Sequence, residues 1–230
     1  MAAPAKTAID KLKGRDTNWK WHLKEKTDLI DLLYGGATSP REGTPSEIAL
    51  GFVLANSEGF IGKSASDDDA ISFEVIYERK CRKGNTVRLA QMYSGIPIYG
   101  ADVAVLVFEE KRVIHAANRA LPVAHLSDVH MGKRPYKEIL PIIRDHVSAL
   151  GGPVVQENSD DIELLVWKGN PPLLGYRTAF HIGVERRPWE IVAHAENGTL
   201  LHKAPLFSKP HKKENNKKKK PVHSGTTEGE

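Results

Sequence analysis

The first half of the chain contains the stretch Val87-Arg88-Leu89-Ala90-Gln91-Met92-Tyr93-Ser94-Gly95-Ile96-Pro97-Ile98-Tyr99-Gly100-Ala101-Asp102-Val103. Apolar side chains at Val87 and Leu89, and again from Val103, recur at every second position, the period of a strand with one buried face. Ser94-Gly95 interrupts this alternation, and glycine permits the turn or bulge that such a break requires. The stretch therefore predicts two neighbouring strands joined by a short turn, with a bend in the second strand at Gly100.

The same two-residue period extends on both sides of this stretch. Ile71–Glu78 alternates before a turn at Lys83-Gly84-Asn85, and Val113–Ala117 follows the long apolar strand. Further upstream, Thr44-Pro45-Ser46-Glu47 supplies a capping hydroxyl, a proline at the first helical position and an acid in the first turn, which predicts a helix ending near Asn56–Gly59. Together these segments predict an antiparallel meander of about four strands packed against one helix.

The second half of the chain repeats this plan without a residue-level repeat. A helix is predicted over Tyr136–Leu150 and is stopped by Gly151-Gly152-Pro153. Strands are predicted at Ile162–Trp167, Leu174–Val184, Trp189–His194 and Thr199–His202. Glu196-Asn197-Gly198 has the Asn-Gly pair that is typical of a tight hairpin turn.

The predicted fold class is therefore α+β, with two small modules that each pack a helix on an antiparallel β-meander. The predicted divisions are a flexible N-terminus at 1–18, a first module at 19–121, a linker at 122–134, a second module at 135–204 and a disordered Lys-rich tail at 205–230.

The composition is that of an ordinary soluble domain: 230 residues, 40% hydrophobic, 27% charged and a single cysteine. Residues 203–230 contain eight Lys and three Glu, a net charge of +5, so the other 202 residues carry −1 of the total of +4. Because the rest of the chain is nearly neutral, we expect no nucleic-acid binding apart from weak contacts of the tail. No apolar stretch predicts a membrane helix or a secretory signal, so a cytoplasmic location is expected for the chain as written, or a secreted or periplasmic one if a signal was removed.

The sequence contains no motif that predicts catalysis. H-E-x-x-H, G-x-S-x-G and the phosphate-binding G-x-x-x-x-G-K-[ST] are all absent. His125 and His130 flank Asp128 in the predicted linker, which offers no periodic scaffold to fix metal ligands. We therefore expect no enzyme activity, no metal and no cofactor.

The stretch from Val87 to Val103 resembles the propeptide signature of thermolysin-like and fungalysin-like metallopeptidases. In that signature a strand with Arg and Gln and then an aromatic residue precede Gly-Val-Pro-Val-aromatic-Gly-Ala and another apolar strand. Ile96 and Ile98 stand where that family has valines. Trp189–Gly198 resembles the end of the second propeptide module, the PepSY domain, although His194 stands where an aspartate is usual. The resemblance covers residues 19–203, and the peptidase domain itself is missing.

This resemblance implies a non-catalytic protein that binds and inhibits, or chaperones, a thermolysin-type or fungalysin-type zinc metalloprotease. The alternative is an interaction or adaptor module that reuses the propeptide fold and contacts a partner through its basic tail. No membrane partner is implied, and the sequence leaves the oligomeric state open.

The resemblance also assigns roles to particular residues. The motif residues, expected to be mainly structural, are Arg88, Gln91, Tyr93, Gly95, Pro97 and Gly100. Leu206 and Phe207 form the candidate protease contact, because thermolysin-like proteases favour a bulky apolar residue after the scissile bond. The alternative for this pair is that both side chains fold back onto the sheet.

Overall fold

A computed structural model describes residues 4–151, 154–182 and 187–206. The described residues form four α-helices and ten strands, with short 3₁₀ turns at Ala65–Asp67 and Val123–His125. The helices are α1 (Pro4–Lys13), α2 (Pro45–Ala55), α3 (Ser57–Ile61) and α4 (Tyr136–Gly151). The strands are β1 (Lys20–Leu23), β2 (Ile30–Tyr34), β3 (Ile71–Cys81), β4 (Gly84–Tyr93), β5 (Ile96–Phe108), β6 (Val113–Asn118), β7 (Val154–Trp167), β8 (Leu173–Ile182), β9 (Arg187–His194) and β10 (Leu200–Pro205).

All ten strands belong to one sheet with the order β1-β2-β6-β5-β7-β8-β9-β10, and β4 and β3 continue it from β5. Every pairing between these strands is antiparallel except β5–β7, where Ile98 lies opposite Val166 in parallel. The predicted α+β class is thus confirmed. The two halves share this sheet through β5, which pairs with β7 near its start and with β6 from Val103 onward.

The first half has the predicted meander, since β3, β4, β5 and β6 pair in sequence order. The helix α2 begins at a capping box in which the Thr44 hydroxyl accepts a bond from the Glu47 N–H and the Glu47 carboxylate accepts one from the Thr44 N–H. Phe52 on α2 and Leu89 and Val105 on the sheet are fully buried in the shared core. Burial of such side chains is the main term that holds the helix on the sheet.

The sequence predicts a flexible segment over residues 1–18, whereas the structure has a helix within it. Residues 4–13 form α1, in which Ala5, Ala8, Ile9 and Leu12 are buried at helical spacing. A side chain added at Gly59 on α3 would come within 2.7 Å of the Ala8 Cβ, so small residues let the two helices approach closely. The stripe is half alanine, which is why it gives only a weak hydrophobic signal in the sequence.

The predicted linker is part of the packed structure. Leu126 is fully buried and Val129 is 9% exposed, and both belong to the core of the first half. His130 forms an isolated parallel bridge with Leu173 at the start of β8. Residues 122–134 are therefore anchored to the core by Leu126 and Val129, while most of their other side chains are exposed.

The second half packs α4 on one face of β8 and β9. Ile139, Ile143 and Val147 of the helix form a cluster with Phe180 and Ile191 of the strands. The helix accommodates Pro141, the sixth residue of α4. β7 begins at Val154, eight residues earlier than predicted, whereas the predicted end of β8 at Val184 lies outside the described residues.

The predicted hairpin turn joins β9 to β10. His194 donates its N–H to the Thr199 carbonyl at 2.8 Å, and Gly198 has a φ of +73°. The Asn197 side chain accepts a bond from the Thr199 N–H at 3.0 Å. Asn and Gly supply here the side-chain acceptor and the left-handed backbone that a tight turn needs.

Candidate functional site

The motif stretch folds as the β4–β5 hairpin, with Ser94 and Gly95 as its turn. Both residues have positive φ, +49° and +75°, and the ladder begins with Tyr93 opposite Ile96 and Met92 opposite Pro97. A proline fits there because Tyr93 and Ile96, which flank a two-residue turn, form a hydrogen-bonded pair, so Pro97 falls in the next, non-bonded pair and no N–H toward β4 is lost. Gly95 and Pro97 thus lie in and beside the turn of the hairpin.

Arg88 forms an ion pair with Asp102 on the neighbouring strand. Its Nε lies 3.2 Å from Asp102 Oδ1, and Arg119 Nη2 lies 2.8 Å from Oδ2 of the same carboxylate. Burial raises the pKa of Asp102, and the charge of Arg88 opposes that rise. Asp102 is only 6% exposed, so the two arginines provide the partners that a buried carboxylate needs.

Gln91 is completely buried and binds the backbone of Leu121. Its Nε2 donates to the Leu121 carbonyl at 3.0 Å, and its Oε1 accepts from the Leu121 N–H at 2.7 Å. Tyr93 is half-buried and packs against the core of the first half. These contacts fix the end of β6 and the next segment to the meander, which is again a structural role.

Gly100 lies on β5 between Ile98, which pairs with β7, and Val103, where the pairing with β6 begins. Its φ is +65°, and its carbonyl accepts a bond from Lys168 Nζ at 3.2 Å. A Cβ at this position would lie 3.0 Å from the same Nζ. The bend that glycine permits places the preceding residue, Tyr99, over the sheet of the second half.

Tyr99 begins a polar cluster on the face of that sheet opposite α4. Its hydroxyl donates to Glu190 Oε1 at 2.5 Å. The other oxygen of Glu190 lies 2.7 Å from Arg177 Nη2, and Arg177 Nη1 donates to Glu163 Oε2 at 3.0 Å. Residues of β8 and β9 that alternate with Arg177 and Glu190 contact α4, so strand periodicity places this cluster on the other face. We call Tyr99, Glu163, Arg177 and Glu190 the junction cluster.

Three members of the junction cluster, Tyr99, Arg177 and Glu190, have pKa values that are shifted away from neutral pH. Burial and the bond to Glu190 raise the pKa of Tyr99 to about 12. Burial acts to raise the pKa of Glu190, but the bonds from Tyr99 and Arg177 outweigh it and leave the pKa below its ordinary value. For Arg177, burial acts to lower the pKa, and the bonds to Glu163 and Glu190 raise it above the usual value. Each of these shifts favours the protonation state in which the group makes its hydrogen bond within the cluster.

Aromatic rings extend the cluster toward β10. The Tyr99 and Trp167 rings lie 5.0 Å apart, and the Trp167 and His202 rings stack at 5.2 Å. His202 Nε2 lies 4.0 Å from Glu190 Oε1. Rings at these separations pack favourably and give this surface a rigid apolar component beside its charges.

A groove of about 400 Å³ runs beside the junction cluster. Its lining includes Glu163, Arg177, Glu190 and the predicted contact residue Leu206. Leu206 donates its N–H to the Pro188 carbonyl at 2.8 Å, while its side chain remains 39% exposed. The backbone of Leu206 thus continues along β9, and its side chain stays accessible. Phe207 lies outside the described residues.

The junction cluster is not among the sites predicted from the sequence. Tyr99 lies within the motif, but its role depends on Glu190, 91 positions away. In the sequence Glu190 alternates with Trp189 and Ile191, which is the ordinary pattern of a strand with one solvent-facing side, so nothing local indicates that its carboxylate is buried. A buried carboxylate needs a partner, but the sequence does not say which one.

The remaining candidates have local partners. His194, which stands where the PepSY pattern has an aspartate, accepts a bond at Nδ1 from the Glu196 N–H at 3.1 Å. His130 Nε2 lies 3.2 Å from the Glu196 carboxylate. Within the described residues no group of three or more His, Cys, Asp or Glu side chains is placed to hold a metal ion. None of the described helices has the length and apolar character needed to cross a membrane.

Among the comparisons with known proteins, the one with solved structures gives matches. No family model matches the chain, and no curated protein matches it. Among solved structures, the chain is similar to the Bacillus megaterium YpeB C-terminal domain, with 11% identity and a TM-score of 0.34, over 90% of this chain and 98% of that one. That domain has a PepSY-like fold. A TM-score of this size assigns neither family nor function, so the resemblance of residues 87–103 to metallopeptidase propeptides rests on the sequence alone.

Proposed function

We propose that this chain is a non-catalytic, propeptide-like protein that binds a thermolysin-type or fungalysin-type zinc metalloprotease and inhibits or chaperones it. The observation that carries the proposal is the hydrogen bond from Tyr99 to Glu190. It connects the segment that resembles the propeptide signature to the groove that contains Leu206. The motif segment therefore forms a turn and, through Tyr99, also contributes to a surface of the second half.

The surface beside the junction cluster has the properties of a protein-binding site. Leu206 offers an exposed apolar side chain on a backbone that β9 holds in place, so little conformational entropy is lost when a partner covers it. Complete burial of such a side chain contributes about 1.5–3 kcal/mol. The carboxylates of Glu163 and Glu190, fixed by Arg177, would select partners by charge and geometry.

The test is an inhibition assay with the full chain. We expect it to inhibit a thermolysin-type protease on a peptide substrate, to leave a serine protease unaffected, and to be cleaved slowly at or beside Leu206-Phe207. The double variant Leu206→Ala/Phe207→Ala should inhibit more weakly. Leu23→Ala, which removes another leucine with 44% exposure at the opposite end of the sheet, is the matched control.

Three results would count against this proposal. If a panel of thermolysin-type enzymes is unaffected by the folded chain, the partner class is wrong. If an enzyme is plainly blocked but the double variant inhibits as well as the parent, the contact lies on another surface of the folded halves. Casein hydrolysis by the purified chain that a chelator abolishes would contradict the non-catalytic part of the proposal.

A further inference from the structure

The outer edge of β3 is an apolar edge that none of the described strands covers. β3 pairs with β4 on one side, and the sheet continues no further in the described residues. Val75, Ile76 and Tyr77, in the middle of this strand, are 41%, 58% and 48% exposed. An edge strand with free backbone groups and exposed apolar side chains is a template for another strand.

A β-bulge divides β3 into two parts. Val75 lies opposite Leu89 and Tyr77 opposite Arg88, which leaves Ile76 as the extra residue. The bulge shifts the alternation of faces by one position. As a result Glu74, opposite Ala90, and Arg79, opposite Thr86, point to the same face of the sheet.

The backbone groups follow the same shift. The Ala70 carbonyl accepts a bond from the Ser94 N–H, so the groups of alternate residues from Ile71 to Val75 point to the outer edge. At the other end, Cys81 flanks the two-residue turn to β4, so its groups point inward and those of Glu78 point outward. The outward-pointing residues are therefore arranged symmetrically about the bulge.

We propose that β3 pairs in antiparallel orientation with β3 of a second copy of this chain, about a two-fold axis between Ile76 and Tyr77. In this register Val75 lies opposite Glu78 of the partner subunit, and both residues present their backbone groups to the new ladder. Glu74 faces Arg79 of the partner subunit on one face of the sheet, and symmetry repeats that ion pair. The bulge, which usually limits edge pairing, here makes the two parts of the strand complementary to each other.

The order of charges along β3 favours a second copy as the occupant. Glu74 and Glu78 precede Arg79 and Lys80, so the strand changes from acidic to basic along its length. In the proposed register Glu74 lies opposite Arg79 of the partner subunit, an acid opposite a base, while Glu78 and Lys80 lie opposite Val75 of the partner subunit and Phe73 of the partner subunit. In-register parallel pairing would instead place like charges together. Pairing with a second copy therefore covers the exposed apolar residues and also brings opposite charges together. This dimer does not depend on the proposed protease partner.

Sedimentation of the full chain over a wide concentration range tests this proposal. We expect a reversible monomer–dimer equilibrium. Glu74→Lys should weaken the dimer about tenfold, because two attractive cross-strand pairs become repulsive. Arg79→Glu should weaken it similarly, and the double exchange Glu74→Lys/Arg79→Glu should restore it, because each pair regains opposite charges.

The controls separate this interface from others. Glu25→Lys changes an exposed acid in the β1–β2 loop by the same charge and should leave the dimer unchanged. All exchanged side chains are exposed, and a thermal unfolding curve for each variant shows that it remains folded. A monomer at every concentration would overturn the proposal and leave the edge to a different partner. A dimer whose affinity is unchanged by the single exchanges, or is not restored by the double exchange, would also overturn the proposal.

Discussion

Tyr99 on β5 and Glu190 on β9 are joined by a hydrogen bond of 2.5 Å although 91 positions separate them in the chain. Between their strands lie only β7 and β8. The bond therefore crosses the boundary between the two halves on one face of the shared sheet. It makes the orientation of the halves depend on a residue of the motif, because Gly100 and Tyr99 together set how β5 passes from one half to the other.

Replacing Tyr99 with Phe should lower the free energy of unfolding by about 1–3 kcal/mol. The variant keeps the ring that packs on Trp167 but leaves the Glu190 carboxylate, 8% exposed, without one donor. Urea unfolding of parent and variant measures the difference. Tyr34→Phe, which removes the hydroxyl 3.3 Å from His22 Nε2 at an exposed site, should change it much less.

The effect of Tyr99→Phe should also depend on pH in a defined direction. The folded pKa of Tyr99, about 12, lies above its ordinary value of 10.0, so this contribution to stability is complete below pH 10.0 and declines as the pH rises toward 12. The difference between parent and variant should shrink over that interval. A difference that stays constant there, or that is absent at neutral pH, would contradict the role of the hydroxyl.

The sequence predicts the elements whose signals are local. The period of two residues finds β3 to β6, Thr44 and Glu47 mark the start of α2, and Asn197-Gly198 marks the last hairpin. Each of these signals depends on neighbours within a few positions. The helix α1 has no comparable local signal, because Ala5 and Ala8 are buried only through their contact with the rest of the chain.

The joining of the halves could not be derived from the sequence. Ile98 and Val166 pair in parallel, and neither strand carries a pattern that specifies the other as its partner. The same reason applies to the candidate site. Arg177 and Glu190 are single charged residues on two strands of the sequence. Their ion pair becomes apparent only when the register of β8 and β9 places them together.

Replacing Glu190 with Gln should remove an acid-sensitive part of the stability. The folded pKa of Glu190 lies below its ordinary value of 4.5, so its charged form stabilises the fold above pH 4.5, and this contribution is lost as the pH falls through the folded pKa. The parent should therefore exceed the variant most at neutral pH, and the two should converge on acidification. Parallel unfolding free energies from neutral to acid pH would contradict this, and Glu25→Gln serves as the exposed control.

Removing residues 207–230 should leave stability unchanged and abolish binding to polyanions. The cut follows Leu206, so β10 and its bond to Pro188 are kept. The removed segment contains seven Lys and three Glu, which leaves the rest of the chain without excess positive charge. Heparin affinity at low and high salt measures the effect. Retained, salt-sensitive binding by the truncated chain would place the basic surface elsewhere.

Adding a side chain should destabilise the protein at Gly95 and at Gly100 but stabilise it at Gly51. Gly95→Val and Gly100→Val should each cost about 1–3 kcal/mol, because their φ values of +75° and +65° are strained for a β-branched residue. At Gly95 a Cβ meets nothing within 4 Å, so the cost there is backbone strain alone, and Gly95→Asn, which tolerates this conformation better, should recover part of it. Gly51 lies inside α2 with only Arg41 Nη1 near, at 3.7 Å, and Gly51→Ala should stabilise by about 0.5–1 kcal/mol. Urea unfolding of the four variants measures these changes, and a Gly100→Val variant as stable as the parent would show that β5 does not need its bend.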